Sequence, residues 1–136
     1  MDISKIKEIG SRVRSGAWVK DIPVLGFEDV ALRVRGANNA DARRLRDVLV
    51  REAAGASNAP LSPDQIDVIN DKIIVEAILL DWNLAEDDEP LPFSKEKAAA
   101  LLADGDIGPL MREAVSWAAA TVGSRGLDEI EEAAKN

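Results

Sequence analysis

The chain has 136 residues, enough for one domain with a real core, and it carries no cysteine, histidine or tyrosine. That excludes thiol catalysis, a Ser/His triad, imidazole acid-base chemistry and the usual zinc sites. The net charge of −8 is unevenly spread, with 11 Lys/Arg against 8 Asp/Glu in residues 1–60 and 6 against 17 in residues 61–136, so the acidic part would repel nucleic-acid phosphates.

Hydrophobic residues make up 46% but aromatics only 4%, so the core is built mostly from small side chains that let helices approach closely. Met1-Asp2-Ile3-Ser4-Lys5 lacks the apolar core of a signal peptide, and no run reaches the ~18–20 apolar residues of a membrane span. These features predict a protein that stays inside the cell and does not enter a membrane.

Residues 1–15 read as an N-terminal tail or short amphipathic helix, with Ile3, Ile6 and Val13 set among Lys5, Lys7, Arg12 and Arg14. A single helical domain with an N-terminal β-hairpin is expected over residues 16–123. The hairpin comes from two alternating runs, Ala17–Ile22 and Val30–Arg35, with turn chemistry from Pro23 and Gly26 between them. Alternation places Val30, Leu32 and Val34 on one face and Arg33 and Arg35 on the wet one.

Asn38 or Asn39 is a good cap for a helix to about Ala54, which Gly55 ends. Its apolar stripe is Ala42, Leu45, Val48 and Leu49; Arg43, Arg44, Arg46 and Arg51 surround it, with no interleaved aromatic to stack on RNA bases. Ser62, Pro63 and Gln65 then form the strongest helix start in the chain, a capping box with proline at the first helical position. This central helix is expected to run to about Leu80, on a stripe of Ile66, Ile69, Ile73, Ala77 and Leu80 widened by Val68, Ile74, Val75, Ile78 and Leu79.

Asp81 to Phe93 reads as a structured acidic loop, with Glu86-Asp87-Asp88-Glu89 at its centre and Trp82 and Phe93 pinning its ends to the core. A calcium loop built on Asp81, Asn83 and Asp87 fails in detail: Ala85, Glu86 and Pro92 stand where a ligand, a glycine and a bidentate acid are needed. Ser94 opens a helix to residue 103, stopped by Asp104-Gly105. Asp106 or Gly108 caps a last helix, entered through Pro109 and running to about Val122, that buries Leu110, Ala114, Trp117, Ala118 and Thr121. Residues 124–136 form an acidic tail or short helix. The fold class is therefore mainly α, a compact domain of about four to five helices.

The apolar helix, Asp81-Trp82, the acidic connector, Leu91-Pro92-Phe93-Ser94 and the following Ala/Leu helix together resemble the tail assembly chaperones of long-tailed (siphovirus-type) bacteriophages and prophages. Gly16-Ala17-Trp18-Val19 and Val30–Arg35 followed by Asn38-Asn39 resemble the extended opening of the same proteins, so the likeness touches residues 16–122. It implies a non-enzymatic protein that binds the tape-measure protein, recruits tail-tube subunits in the host bacterial cytoplasm and is absent from the mature virion. The family often makes a longer, frameshifted form, which a protein sequence does not report.

Within the resemblance, Trp18, Trp82 and Phe93 are pattern positions expected to act as structural anchors. No catalytic, cofactor-binding or metal-binding residue is assigned, no cofactor is expected, and neither nucleic acid nor membrane is an expected partner. The charge split suggests a homo-oligomer in which Arg43, Arg44, Arg46 and Arg51 face Glu86, Asp87, Asp88 and Glu89 of a neighbour. Two other assignments compete: a head-tail connector or minor structural protein retained in the virion, and a metal-binding enzyme using the acidic loop.

Overall fold

A computed structural model describes residues 2–122. Helix α1 (Ile3–Ser15) leads into strands β1 (Ala17–Val19) and β2 (Leu32–Val34), then helices α2 (Ala40–Ala54) and α3 (Pro63–Ile73). A π-helical turn (Ile74–Ile78) carries α3 into β3 (Leu79–Trp82); the short strands β4 (Ala85–Glu86) and β5 (Glu89–Pro90) and helices α4 (Lys95–Ala103) and α5 (Gly108–Ala120) complete the order. The protein is mainly α, with a few short antiparallel strands. The tail expected over 124–136 and the stop at Gly123 lie outside the described residues.

The capping signals act where the residues place them. Ser62 and Gln65 form the reciprocal capping box of α3, Ser94 Oγ accepts from Lys97 N, and Asn39 Oδ1 accepts from Ala42 N at 2.9 Å. At the corner between α4 and α5 the cap is neither Asp106 nor Gly108. Asp104 reaches forward instead, its Oδ1 accepting from Asp106 N at 2.8 Å and Ile107 N at 3.0 Å.

The central helix does not reach Leu80. α-Helical geometry ends at Ile73, and the chain passes through the wider π turn into β3, which pairs antiparallel with β2 in the order β1-β2-β3. Leu32 faces Trp82 and Val34 faces Leu79, with an irregularity between Arg33 and Val34. A run of Ile, Val and Leu that is apolar nearly all round satisfies either geometry, and the vacant edge of β2 selects the strand.

The transition frees backbone carbonyls that a continuing helix would have bonded. Ala77 O accepts from Asn39 Nδ2 at 2.9 Å, and Ile78 O accepts from Arg35 N at 2.9 Å. Asn39 is itself buried and also donates to Gly36 O, so one side chain caps α2, fixes the approach to it and ties both to the π turn.

Strands β1 and β2 run antiparallel, but no tight hairpin turn joins them. Residues 20–31 form a long loop that inserts Ile22, Val24 and Phe27 into the core, a contribution that a short turn at Pro23 and Gly26 has no room to make. Gly16 sits at φ +94°, where an added Cβ would lie 2.6 Å from Leu80 Cδ1 and 3.2 Å from Val34 O; only glycine lets α1 turn so closely onto the sheet.

Three expected stripes shift. On α2 Ala42 is buried and Leu45 and Leu49 pack against the core as expected, but Val48 faces solvent. On α3, Ile69 and Ile73 point inward, while Ile66 and Val68 point out. On α5, Leu110 is exposed, and Met111, Ala114, Val115, Ala118 and Ala119 form the inner face. In each case periodicity identifies an apolar side without specifying how much of it a neighbour covers.

Replacing Asn39 by alanine removes a helix cap and leaves the Ala77 carbonyl without its donor, which should lower stability by about 2–4 kcal/mol in urea denaturation. Asn39→Asp keeps the cap acceptor and loses both donors, so it should also destabilise. An aspartate variant as stable as the parent would show that only the cap matters.

Candidate protein-interaction surface

Trp82 is 5% exposed. Its Nε1 donates to Leu91 O at 2.7 Å, and its ring meets Phe93 edge to face, with centroids 4.8 Å apart at 84°. These contacts close the loop that carries the acidic run. Inside that closure β4 and β5 pair, Ala85 with Pro90 and Glu86 with Glu89, and Asp87 and Asp88 form the turn at φ +51° and +65°. Two left-handed residues in succession define the turn that matches a twisted two-strand ribbon, and aspartate adopts that conformation more readily than most side chains. The four acidic residues are thus presented on a short hairpin, all exposed.

Trp18 does not anchor the core. Strand alternation turns Val19 inward and leaves Trp18 48% exposed on the outer face, beside its register partner Arg33. Arg35 departs from the wet-face expectation in the opposite sense: its Nε donates to Arg14 O and its Nη2 to Asp41 at 2.8 Å, joining α1, β2 and α2.

Arg43, Arg44, Arg46 and Arg51 are exposed along α2, and Arg44 lies 3.4 Å from Asp41. They and the acidic hairpin occupy different elements and are not brought together within one chain. Among the described residues, no cluster of three or more Asp or Glu is arranged to hold a metal ion.

The perturbed ionisations belong to structural contacts. Hydrogen bonding from Arg35 holds the Asp41 carboxyl below its ordinary value, as the Ile107 and Asp106 amides do for Asp104 and the Ser4 amide does for Asp2. Arg112 is raised by its bidentate pair with Asp71, at 2.7 and 2.9 Å, which braces α5 against α3.

Two grooves stand out among the described residues. The first, about 390 Å³, runs between α2 and α3 over Leu49, Ala53, Val68 and Ile69, with Glu52, Asp64 and Lys72 at its margin. A depression of about 320 Å³ continues it past Val68 and Lys72 to Val75, Ala99 and Ala103. Val68 itself is 55% exposed. The second groove, about 440 Å³, lies between the acidic hairpin and the α4–α5 corner, floored by Phe27, Leu84, Leu91, Leu101 and Met111. Neither groove is visible in the sequence, where Val68 on α3 reads as part of the widened apolar stripe.

The model of the YdaY prophage protein family matches residues 37–136. The chain belongs to that family. The matched stretch begins at Ala37, after β2, and takes in the α2–α3 groove, the acidic hairpin, helices α2 to α5 and all of the hairpin groove except Phe27. Family membership makes this a prophage protein. No curated protein and no solved structure matches the chain.

Trp82→Ala should destabilise this prophage protein by about 3–5 kcal/mol, because it empties a large aromatic site and breaks the Phe93 contact. Asp87→Asn with Asp88→Asn should change stability little, since asparagine tolerates the same turn and exposed like charges are relieved. The reverse ranking in chemical denaturation would refute the assignment of the hairpin as an exposed element hung on Trp82. Separately, because the folded Asp104 carboxyl lies below its unfolded value, its cap contributes above the unfolded pKa and is lost as pH falls through the folded one. Titration of its carboxyl by NMR should therefore find Asp104 more ionised than a free aspartate at the same acidic pH, and Asp104→Asn should weaken that acid dependence.

Proposed function

We propose that this YdaY-family protein is a non-enzymatic tail assembly chaperone, working in the host cytoplasm, that binds the tape-measure protein, brings tail-tube subunits to it and leaves before the particle is complete. The observation that carries the reading is the apolar groove between α2 and α3, open to solvent and continued toward α4. Its width between two helices and its apolar floor suit the apolar face of a client helix, with Glu52, Asp64 and Lys72 placed to read charges on that helix. The prophage family supports the phage context, and the resemblance of Asp81-Trp82 and Leu91-Pro92-Phe93-Ser94 supports the tail-assembly role.

The non-enzymatic part of the reading is supported by how the polar groups are used. Among the described residues the buried polar side chains are Asn39 and Thr121, and both are bonded to backbone carbonyls. Neither is a titratable group held in a cleft, the usual mark of acid-base chemistry. The hairpin carboxylates are exposed around a tight turn.

Co-expression with the tape-measure and tube proteins of the same prophage should yield a complex that co-purifies with the chain. Val68→Asp, at an exposed position, should reduce recovery of the client about tenfold or more without unfolding the protein. Mass spectrometry of purified particles should not find the chain. Its stoichiometric presence there would favour a head-tail connector, and failure of both phage proteins to bind would end the chaperone reading.

A further inference from the structure

Helix α1 has an apolar stripe that the described residues cover only at its last turn. None of its residues is buried. Ile3, Ile6, Gly10 and Val13 recur on one stripe; Val13 packs on the core beside Gly36, but Ile3 and Ile6 are 79% and 54% exposed. Lys5, Lys7, Arg12 and Arg14 give the helix a basic surface against Asp2 and Glu8. Its last turn is held firmly, by Gly36 N on Val13 O and Arg35 Nε on Arg14 O, so the first two turns form an arm fixed at its base.

The groove beside the acidic hairpin has the complementary character. Its floor is apolar, Ile107 at its edge is 40% exposed, and Glu86 and Asp104 line its rim. Asp87, Asp88 and Glu89 extend the acidic margin at the hairpin and Asp106 at the corner, against a single lining cation, Lys97.

We propose that α1 of one copy docks in the hairpin groove of a second copy, with Ile3 and Ile6 on the apolar floor and the arm's lysines against the hairpin carboxylates. The α2 arginines are poorer partners for the hairpin. They share their helix with Asp41, Asp47 and Glu52, and Arg44 already faces Asp41. Arm and groove are different surfaces of one chain, so two copies joined head to tail by one such contact keep one free arm and one free groove between them. The inference does not rest on the chaperone reading, since it uses a groove other than the client's and needs only the purified chain.

Analytical ultracentrifugation of the full chain at low salt should show association that grows with concentration, weakening as added salt shortens the screening length from ~10 Å at 0.1 M to ~3 Å at 1 M. Lys5→Glu with Lys7→Glu, and separately Glu86→Lys with Glu89→Lys, should each weaken association about tenfold or more. All four positions are exposed, and near-ultraviolet circular dichroism would verify the fold. Mixed together, the two charge-reversed variants should associate again, because each arm then meets a groove of opposite sign. Ile3→Asp with Ile6→Asp should abolish association, while glutamine at Arg43, Arg44, Arg46 and Arg51 should leave it intact. A parent chain that stays monomeric, variants that associate unchanged, or a mixture that fails to restore association would overturn the proposal. Loss of association on replacing the four arginines, or an arm that binds phosphatidylglycerol vesicles while the copies stay apart, would overturn it equally.

Discussion

The fold depends on a helix that becomes a strand without leaving the core. Between Ile69 and Trp82 the chain passes from α3 through a π turn to β3, and Ile73, Ile74, Ala77, Ile78, Leu79 and Trp82 are buried along the way. Such a change exposes carbonyl oxygens in an apolar interior, where an unpaired acceptor costs about 1–3 kcal/mol. Asn39 and Arg35 supply the missing donors from two other parts of the chain. The start of α2 and the end of β2 are therefore fixed by the same few hydrogen bonds that permit the transition, and the sheet and the helices are positioned together.

That coupling explains which features were legible in the sequence. A capping box, a serine before a helix and an asparagine at a helix start act over three or four residues, so Ser62 and Ser94 could be assigned from their neighbours alone and the α2 cap narrowed to Asn38 or Asn39, of which the structure uses Asn39. The stretch 74–82 was not legible in the same way. An apolar run without clear periodicity fits a buried helix or a buried strand equally well, and the deciding contact is with β2, far away in sequence. Nor did any local signal reveal Asn39's second role, because its acceptor on Ala77 exists only after the helix has broken.

The interaction surfaces were legible in part, for a related reason. The charge of the acidic loop and of the basic N-terminal segment follows directly from composition, though the β4–β5 hairpin that presents the acidic run does not, and a groove requires apolar residues to remain uncovered, which periodicity does not report. Val68 reads as a core residue of the apolar stripe, yet it is exposed and lines the groove between α2 and α3. Trp18 reads as an anchor until alternation on a three-residue strand turns it outward. Trp82 and Phe93 differ because they sit at both ends of one closed loop, where the indole N–H and Leu91 O complete a local circuit.

The family match begins at Ala37, within the cooperative unit rather than at its edge. Leu32 and Val34, both fully buried, lie before it and pair with β3, whose Trp82 and Leu79 lie inside it. Arg35 N, also before it, caps the Ile78 carbonyl, and the side chain of the same residue ties α1 to Asp41 of α2. A chain reduced to the matched stretch would expose the inner edge of β3 and leave Ile78 O without its donor, so residues 16–36 are as necessary to the core as the helices are. Helix α1 is different in kind: it contributes no buried side chain, and Val13 in its last turn is only partly buried against the core. Residues joined to a fold at one end while contributing little to its core are free to specialise in contacts outside it, and that physical distinction separates α1 from the strands that follow it.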